Sequence, residues 1–335
     1  MNNASRHRRA KSSARWVVEI GAAHIAAGRF KSVDPNPELT RLEHRELIVS
    51  EASAETETIA LESALRELVD TLSIRDEVML VIPGHLALTK LVRVPAVAEA
   101  QRPKLIEFEV RQGIPFDLAQ VYWAHQELGI HEGELDVLVV AAKATGVDRL
   151  LRTAKAAGLK VSSVVAAGPT LLSPAQKSGL TSAVISIGAR TTHLIFQMGK
   201  RTYLRTLTLA GNSVSHEISA QLEQSLSEAE QLKVGVLSGK VSLPHDTPAG
   251  AAVKAATAGF IARLKLELNR TVVTQVRPAG MVLPDTLHLA GGGARLPGLF
   301  EALRSSDLKE VRTWETPDDL TVRDAAGTVM DRLGG

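Results

Sequence analysis

The sequence predicts an α/β protein of two related lobes, and three observations carry that reading. Val17-Val18-Glu19-Ile20-Gly21-Ala22 and Val184-Ile185-Ser186-Ile187-Gly188-Ala189 repeat one pattern, a buried strand that runs into an Ile-Gly turn. Each copy opens about half of the chain, as expected of a duplicated fold. A third turn, Ala290-Gly291-Gly292-Gly293-Ala294, follows the apolar strand Leu287-His288-Leu289. Glycine after a strand lets backbone N–H groups approach an anion with no Cβ in the way. The two echoing turns and the glycine run therefore point to a nucleotide held between two domains. A purely structural role for each turn is the competing reading.

Hydrophobic periodicity places the elements in order. Trp16–Phe30 reads as strand, turn and strand, and Glu57–Leu72 as a helix with Leu61, Leu65, Leu68 and Leu72 on one stripe. Val78–Pro83 and Leu88–Pro95 are short strands, the second closed by proline. Pro103 suits the first turn of a helix that Gly113-Ile114-Pro115 stops. Val121–Leu128 and Leu135–Ala142 follow as strands, then a helix over Val147–Ala157 capped by Gly158 and a strand near Val161. The block 75–165 thus reads as an α/β module inserted in the first half.

The second half restarts with strands at Val184–Gly188, His193–Met198 and Thr202–Leu209, the last two joined at Gly199-Lys200. Helices follow through Leu222, over Ser225–Gly235 with Ser227 as N-cap, and over Ala249–Thr274. Leu296–Leu299 starts a further helix, Val311–Trp314 reads as an edge strand, and Val322–Leu333 as a terminal helix. The helix expected after Gly291–Gly293 would add an N-terminal anion site. Glu230 and Lys233, three residues apart, read as a surface ion pair.

Composition narrows the function classes. Hydrophobic residues make up 44% and charged residues 23%, ordinary values for a globular protein. Aromatics are only 3%, which argues against a nucleic-acid surface built on stacking. The net charge of +2 does not call for a polyanionic partner. Met1–Arg15 carries Arg6, Arg8, Arg9, Lys11 and Arg15 without a carboxylate, and is expected to be a disordered basic tail that either solubilises the chain or tethers it to an anionic surface. With no cysteine, no secretory signal and no spanning segment, a soluble intracellular protein is expected. The histidines, His44, His85, His125 and His216 among them, are scattered and form no metal motif; no Gly-x-Ser-x-Gly elbow is present.

An ordered set of short runs resembles the PilM family of bacterial actin-like ATPases, proteins of type IV pilus assembly related to the division protein FtsA. The runs are Ile82-Pro83-Gly84 with Arg93-Val94-Pro95-Ala96, Ile106-Glu107-Phe108-Glu109 with Gly113-Ile114-Pro115-Phe116, and Val139-Val140-Ala141-Ala142-Lys143 with Ala157-Gly158-Leu159-Lys160. Ala229-Glu230-Gln231-Leu232-Lys233 and Leu289–Ala294 with Leu296–Leu299 continue the match. The resemblance implies an actin-like, ribonuclease H-like duplicated fold of two lobes with an inserted 1C subdomain. It divides the chain into the tail (1–15), subdomain 1A (16–74 and 166–181), 1C (75–165), 2A (182–224 and 275–317), 2B (225–274) and a C-terminal helix (318–335).

The same resemblance implies ATP and Mg²⁺ between the lobes. Glu19, Gly21, Ala22 and Ala23 would form the first phosphate turn, with Glu19 toward the metal, and Ser186, Gly188, Ala189, Arg190 and Thr191 the second. Gly291, Gly292 and Gly293 would approach the α-phosphate and ribose, and Glu230 and Lys233 would flank the adenosine. The family's turns read Asp-x-Gly followed by Ser or Thr. Here a glutamate and a serine stand at the carboxylate positions and alanines follow Gly21, which implies nucleotide binding with weak or absent hydrolysis. No catalytic residue is assigned. The implied partners are the N-terminal peptide of a PilN-like inner-membrane protein, near Ile114, Pro115 and Phe116, and the pilus motor ATPases; self-association is compatible with the fold. Membrane association would run through partners. Ile114 and Phe116 have an alternative reading as core of their own module. An active ATPase of the same fold, a type II secretion platform protein and a filament-forming division protein are the rival functions.

Overall fold

One strand order is built twice in this chain. The computed structural model describes residues 15–31, 37–47, 54–172, 181–199, 201–244, 246–304, 308–314, 321–323 and 329–330; the basic tail up to residue 14 lies outside them. In the first lobe β1 (Arg15–Ile20), β2 (His24–Phe30) and β3 (Glu38–Glu46) form an antiparallel meander. β4 (Glu77–Ile82) joins β1 in parallel and β8 (Lys160–Ala166) joins β4 in parallel, giving the order β3-β2-β1-β4-β8. In the second lobe β9 (Thr181–Ile187), β10 (Thr192–Met198) and β11 (Arg201–Leu207) repeat the meander. β12 (Thr286–Ala290) and β13 (Glu310–Thr313) repeat the parallel pair, giving β11-β10-β9-β12-β13. Ile20 and Ile187 end the equivalent strands β1 and β9, so the sequence echo is a structural one.

Each sheet buries one face under helices. Val18, Ile20 and Leu80 of the first sheet pack with Leu65 and Leu68 of α1 (Ala54–Leu72) and Val147, Leu150 and Ala154 of α3 (Ala144–Ala156). Their spacing makes one stripe on each helix. Gly158, at φ +92°, turns the chain out of α3, and the Leu159 N–H reaches back to the Ala154 carbonyl at 2.9 Å. In the second lobe Ile185, Ile187, Leu194 and Phe196 pack with Val214 and Ile218 of α5 (Gly211–Leu222) and Phe260 and Leu264 of α7 (Pro248–Thr271). Truncating a fully buried leucine such as Leu65 or Leu264 to alanine costs about 2–5 kcal/mol.

A third sheet, β5 (Ala87–Pro95), β7 (Glu134–Lys143) and β6 (Val121–His131) in that order, carries α2 (Arg102–Gly113) on one face through Ile106, Val110, Val137 and Val139. The inserted sheet therefore occupies 87–143, inside the block 75–165: β4, α3 and β8 lie in the first lobe, where Val78, Leu80 and Leu150 find their core. From the module's other face Leu138 packs against Val184, Ile195 and Leu204 of the second sheet, so the module touches both lobes.

The terminal helix expected over Val322–Leu333 is corrected at the residues described, 322–323 and 329–330, and the remainder of that span lies outside the described residues. Thr321–Arg323 (β14) runs parallel to β3, and Val329–Met330 (β15) pairs with β14. The end of the chain thereby returns to the first lobe and covers an otherwise open sheet edge. The helix over Ala249–Thr274 is also modified: α7 ends at Thr271 and continues as a π-helical turn, Val272–Val276.

The lobes meet around one imidazole. A Cβ on Gly84, just after β4, would lie 2.6 Å from the His193 ring, and one on Gly168, after β8, 2.9 Å from it. His193 is buried on β10 with Nδ1 3.0 Å from Thr206 Oγ1. Burial holds its pKa down at about 4, so the ring is neutral at pH 7. Gly84→Ala is expected to cost about 1–3 kcal/mol by overpacking. In a His193→Ala background the same change should cost less than half as much, because the colliding ring is gone and only Thr191 Oγ1, at 3.0 Å, remains close. The folded pKa lies below the ordinary histidine value of 6.5, so the unfolded chain binds the extra proton. Stability attributable to the neutral ring is complete above the unfolded value and is lost as pH falls from about 6.5 to 4. Urea melts of both single variants and the double variant across that window check the cycle and the slope; a full Gly84→Ala penalty without His193 would contradict the wedge.

Candidate functional site between the lobes

The second lobe assembles its part of the site around the end of β9. The β9–β10 turn, Gly188–Thr191, closes with the Gly188 N–H on the Thr191 carbonyl at 2.9 Å. It is seated on the N-terminus of α5, where the Gly211 and Asn212 N–H groups donate to the Gly188 and Ala189 carbonyls at 2.9 and 2.8 Å. Below it, Lys233 of α6 (Leu226–Leu237) donates to the Gly211 carbonyl at 3.1 Å, to Ser215 Oγ at 2.9 Å and to Glu230 Oε2 at 2.7 Å. The Ser215 hydroxyl also donates to the Glu230 carboxylate. Glu230 and Lys233 are therefore not a surface pair. Lys233 is 5% exposed and works as a strut under the second turn. The α6 cap is corrected as well: Ser225, not Ser227, accepts the Glu228 N–H, and the Glu228 carboxylate accepts the Ser225 N–H in return. That leaves Glu230 outside the cap.

The glycine run packs on the same strand end. Gly291 has φ +80°, and a Cβ there would lie 2.4 Å from the Ile187 carbonyl oxygen; one on Gly293 would lie 2.3 Å from Ile187 Cγ2. A Cβ on Gly292 would meet nothing within 4 Å. The run opens a short 3₁₀ turn, Gly292–Arg295, rather than a regular helix, so the expected helix dipole is not supplied there. The nearest long helix, α5, already spends its first N–H groups on the second turn.

The first lobe contributes the β1–β2 turn. The Gly21 N–H donates to the His24 carbonyl at 2.8 Å, and the His24 ring lies so close that a Cβ on Gly21 would be 2.7 Å from it. That ring stacks on His44 at 5.1 Å between centroids, and its pKa is lowered by burial despite the Glu19 carboxylate 3.8 Å away. The Glu19 side chain is 44% exposed. By strand alternation Glu19 and Ser186 both lie on the sheet faces away from the helical layers that bury Val18, Ile20, Ile185 and Ile187.

One cleft brings the first two turns together. Ile20, Gly21 and Ala22 line it with Arg190, and Arg190 crosses it to donate to Glu57 of α1 at 2.5 Å. His85 sits in the same cleft with a pKa lowered to about 4, first by burial and then by Arg190. Glu57, His85 and Arg149 escaped the sequence reading, because nothing in their spacing marks three residues that only the fold makes neighbours. Among the described residues no cluster of three His, Cys, Asp or Glu side chains could hold a metal by itself. Of the segment Ile114–Phe116, Ile114 is 6% exposed and belongs to the module's core, Pro115 is exposed, and Phe116 is 36% exposed with Lys143 Nζ 4.8 Å from its ring centre.

This geometry separates the three glycines. Gly292→Val should fold with stability within about 0.5 kcal/mol of the parent, whereas Gly291→Val and Gly293→Val should each lose at least about 2 kcal/mol to strain and collision with Ile187. Denaturant melts of the three variants decide it; equal losses would mean that Gly292 is packed like its neighbours.

Comparison with known proteins places this arrangement. The family model "Type IV pilus assembly protein PilM" matches residues 42–313. Cell division protein FtsA of Bacillus subtilis is 27% identical over 208 residues, covering 57% of this chain and 47% of its own length, so the chain spans about half of that curated relative. The solved PilM-PilN type IV pilus biogenesis complex superposes with a TM-score of 0.72 at 22% identity, over 93% of this chain and 91% of the other. Ethanolamine utilization protein EutJ of Carboxydothermus hydrogenoformans superposes with a TM-score of 0.51 at 15% identity, over 91% and 86% of the two chains. The duplicated sheet order with its inserted module is the actin-like fold, and no helix among the described residues is long and apolar enough to cross a membrane. With four-fifths of its length matched, the chain belongs to the PilM family of type IV pilus assembly proteins.

Proposed function

We propose that this PilM-family protein binds ATP in the cleft between its lobes, hydrolyses it weakly or not at all, and docks the N-terminal peptide of a PilN-like inner-membrane protein on its inserted module. The observation that carries the nucleotide reading is the meeting of three turns from the duplicated halves. Gly21 and Ala22 share a cleft with Arg190, Gly188 is anchored beside the glycine run at Ile187, and Gly292 alone of that run leaves its Cβ direction open. The chemistry fits a nucleotide: backbone donors of Gly21–Ala23 and Gly188–Thr191 would face phosphates, and Gly292 would give the ribose or α-phosphate room. Lys233 and Glu230 would act through the second turn, whose carbonyls they help position by way of Gly211. When bound, Mg²⁺ would neutralise phosphate charge, and Glu19 is the one carboxylate the duplicated turns offer it. Ser186, at the matching place in the second turn, cannot order a metal-bound water as a carboxylate does, which is the reason for slow hydrolysis.

Calorimetry with ATP and Mg²⁺ tests this reading. The parent should bind, Gly292→Val should lose binding while folded, and Glu19→Ala should weaken the Mg²⁺-dependent part. Phosphate release should stay near background; steady turnover at about 1 s⁻¹ or faster, abolished by a Gly188 substitution, would overturn the weak-hydrolysis reading.

The partner reading is supported by the family and by the superposition on a PilM-PilN complex. Ile114 fills the module's own core, so Pro115 and Phe116 are the members of that segment left to meet a peptide. Links to pilus motor ATPases and to the membrane through the partner belong to the same proposal. A labelled peptide from the organism's PilN-like protein, titrated by fluorescence anisotropy, should bind the parent and bind Phe116→Ala at least about threefold more weakly, near 0.6 kcal/mol. Unchanged affinity would place the peptide elsewhere.

A further inference from the structure

We propose that a second cavity, between the inserted module and the second lobe, is a ligand site for a small molecule that carries an oxyanion on an apolar body. The cavity has a volume of ≈ 270 Å³. It shares no lining residue with the cleft of Gly21, Ala22 and Arg190. Leu91 and Arg93 of β5 and Asp136 of β7 form one wall; Arg201, Thr202 and Met281 stand opposite. The π-helical turn supplies Thr274 and Gln275 to the rim, and such turns recur at functional sites.

Charge and fixed geometry select the ligand. Two guanidinium groups face a cavity whose lining holds a single carboxylate, Asp136, and that carboxylate is already paired with Arg93 Nε at 3.0 Å. The lining alone therefore carries one positive charge in excess, and the carboxylate that pairs with Arg201 stands outside it. Arg201 is held in place from behind. Its Nη1 donates to the Ala279 carbonyl at 2.8 Å, past Gly280, where a Cβ would lie 2.7 Å from that nitrogen. Its one ion-pair partner among the described residues, Glu132, is 87% exposed on a hairpin tip, with an Nη2–Oε1 distance of 3.3 Å. A contact of that kind adds little and yields to a better-placed anion. Preset guanidinium forks suit carboxylate and phosphate oxygens alike.

A third feature points the same way. Thr202 is 2% exposed, and its hydroxyl is buried without a hydrogen-bond partner among the described residues. A buried hydroxyl of that kind gains from any acceptor that reaches it. Thr202 lines the cavity from the face of β11 opposite to Arg201, so a ligand oxygen reaching it would be a second contact, separate from the one held by Arg201. Leu91, Ala279 and Met281 supply the apolar contact. Because β5 belongs to the module and β11 to the second lobe, an occupant would bridge the two.

Calorimetric titration of the full chain with hexanoate, acetate and inorganic phosphate at constant ionic strength tests the site. Hexanoate should bind saturably and at least about fivefold tighter than acetate, because of the apolar wall. Arg201→Gln should weaken hexanoate at least about tenfold, and Gly292→Val, at a residue outside this cavity's lining, should not. Phosphate binding that matches hexanoate and falls with Arg201→Gln would support the oxyanion site and assign it to phosphate-bearing ligands. No saturable binding of any probe to the folded parent, loss on Gly292→Val, or indifference to Arg201→Gln would overturn the proposal. If circular dichroism shows Arg201→Gln unfolded, Arg93→Lys, which keeps the charge beside Asp136 and removes the fork, carries the same comparison.

Discussion

The site depends on how closely backbone approaches backbone at the end of β9. Ile187 is met by Gly291 and Gly293 at distances that leave no room for a Cβ, and the next two carbonyls, of Gly188 and Ala189, are taken by the first N–H groups of α5. Three segments distant in sequence are thereby fixed to one point. Lys233 then satisfies the Gly211 carbonyl from below, and Glu230 with Ser215 satisfies Lys233. A buried ammonium is tolerable only with such partners. The pair is better understood as a fixture of the second turn than as an exposed charge pair, and a substitution at either residue acts on the turn first.

The duplicated halves have diverged where chemistry would be sensitive to it. Both turns follow an isoleucine that ends a central strand, yet the residue before it is a half-exposed glutamate in one lobe and a serine in the other. The second turn is pinned by a helix N-terminus, whereas the first is packed against the ring of His24. The cleft between them is spanned by Arg190 and Glu57, one from each lobe. That cross-lobe pair and the His193 wedge hold the halves at a defined separation without any ligand. A nucleotide entering beside Arg190 would bring negative charge to a guanidinium already committed to a carboxylate, so its phosphates would compete with Glu57 directly.

Much of this was legible in the sequence because it was local or repeated. The Val17–Ala22 and Val184–Ala189 echo identified the duplication, since the same strand-and-turn geometry demands the same alternation and the same glycine. Helix α3 and its Gly158 exit followed from spacing alone. What failed was what only tertiary contact decides. Strands β4 and β8 looked like part of the insertion, because hydrophobic alternation does not say which sheet a strand will join. The terminal segment looked helical, because the open edge of β3 that captures β14 is nearly 300 residues away. Ser225 and Ser227 each have a glutamate three residues on, so both fit the capping box by spacing; Glu230 is taken by Lys233 and Ser215 across the fold, and Ser225 with Glu228 closes the box. His85 looked scattered and His193 went unremarked, and each acquires its depressed pKa from burial that no spacing announces.

The position of the inserted module ties these features together. Leu138 on one face of its sheet packs on Val184 and Ile195 of the second lobe, while the chain enters and leaves it through β4 and α3 of the first. Val184 lies on β9 itself, two residues before Ser186 and four before Gly188. A force on the module is therefore felt by the strand that carries the second turn, through a side-chain contact and not through a flexible linker. On the proposed reading, a peptide held by the module and a nucleotide held by the turns would both load this strand, one at its middle and one at its end. If the peptide alters the nucleotide's affinity, the nucleotide must alter the peptide's by the same factor. Packed cores shift between discrete arrangements rather than bending continuously, so the Leu138 contact with Val184 and Ile195 is where such coupling would pass.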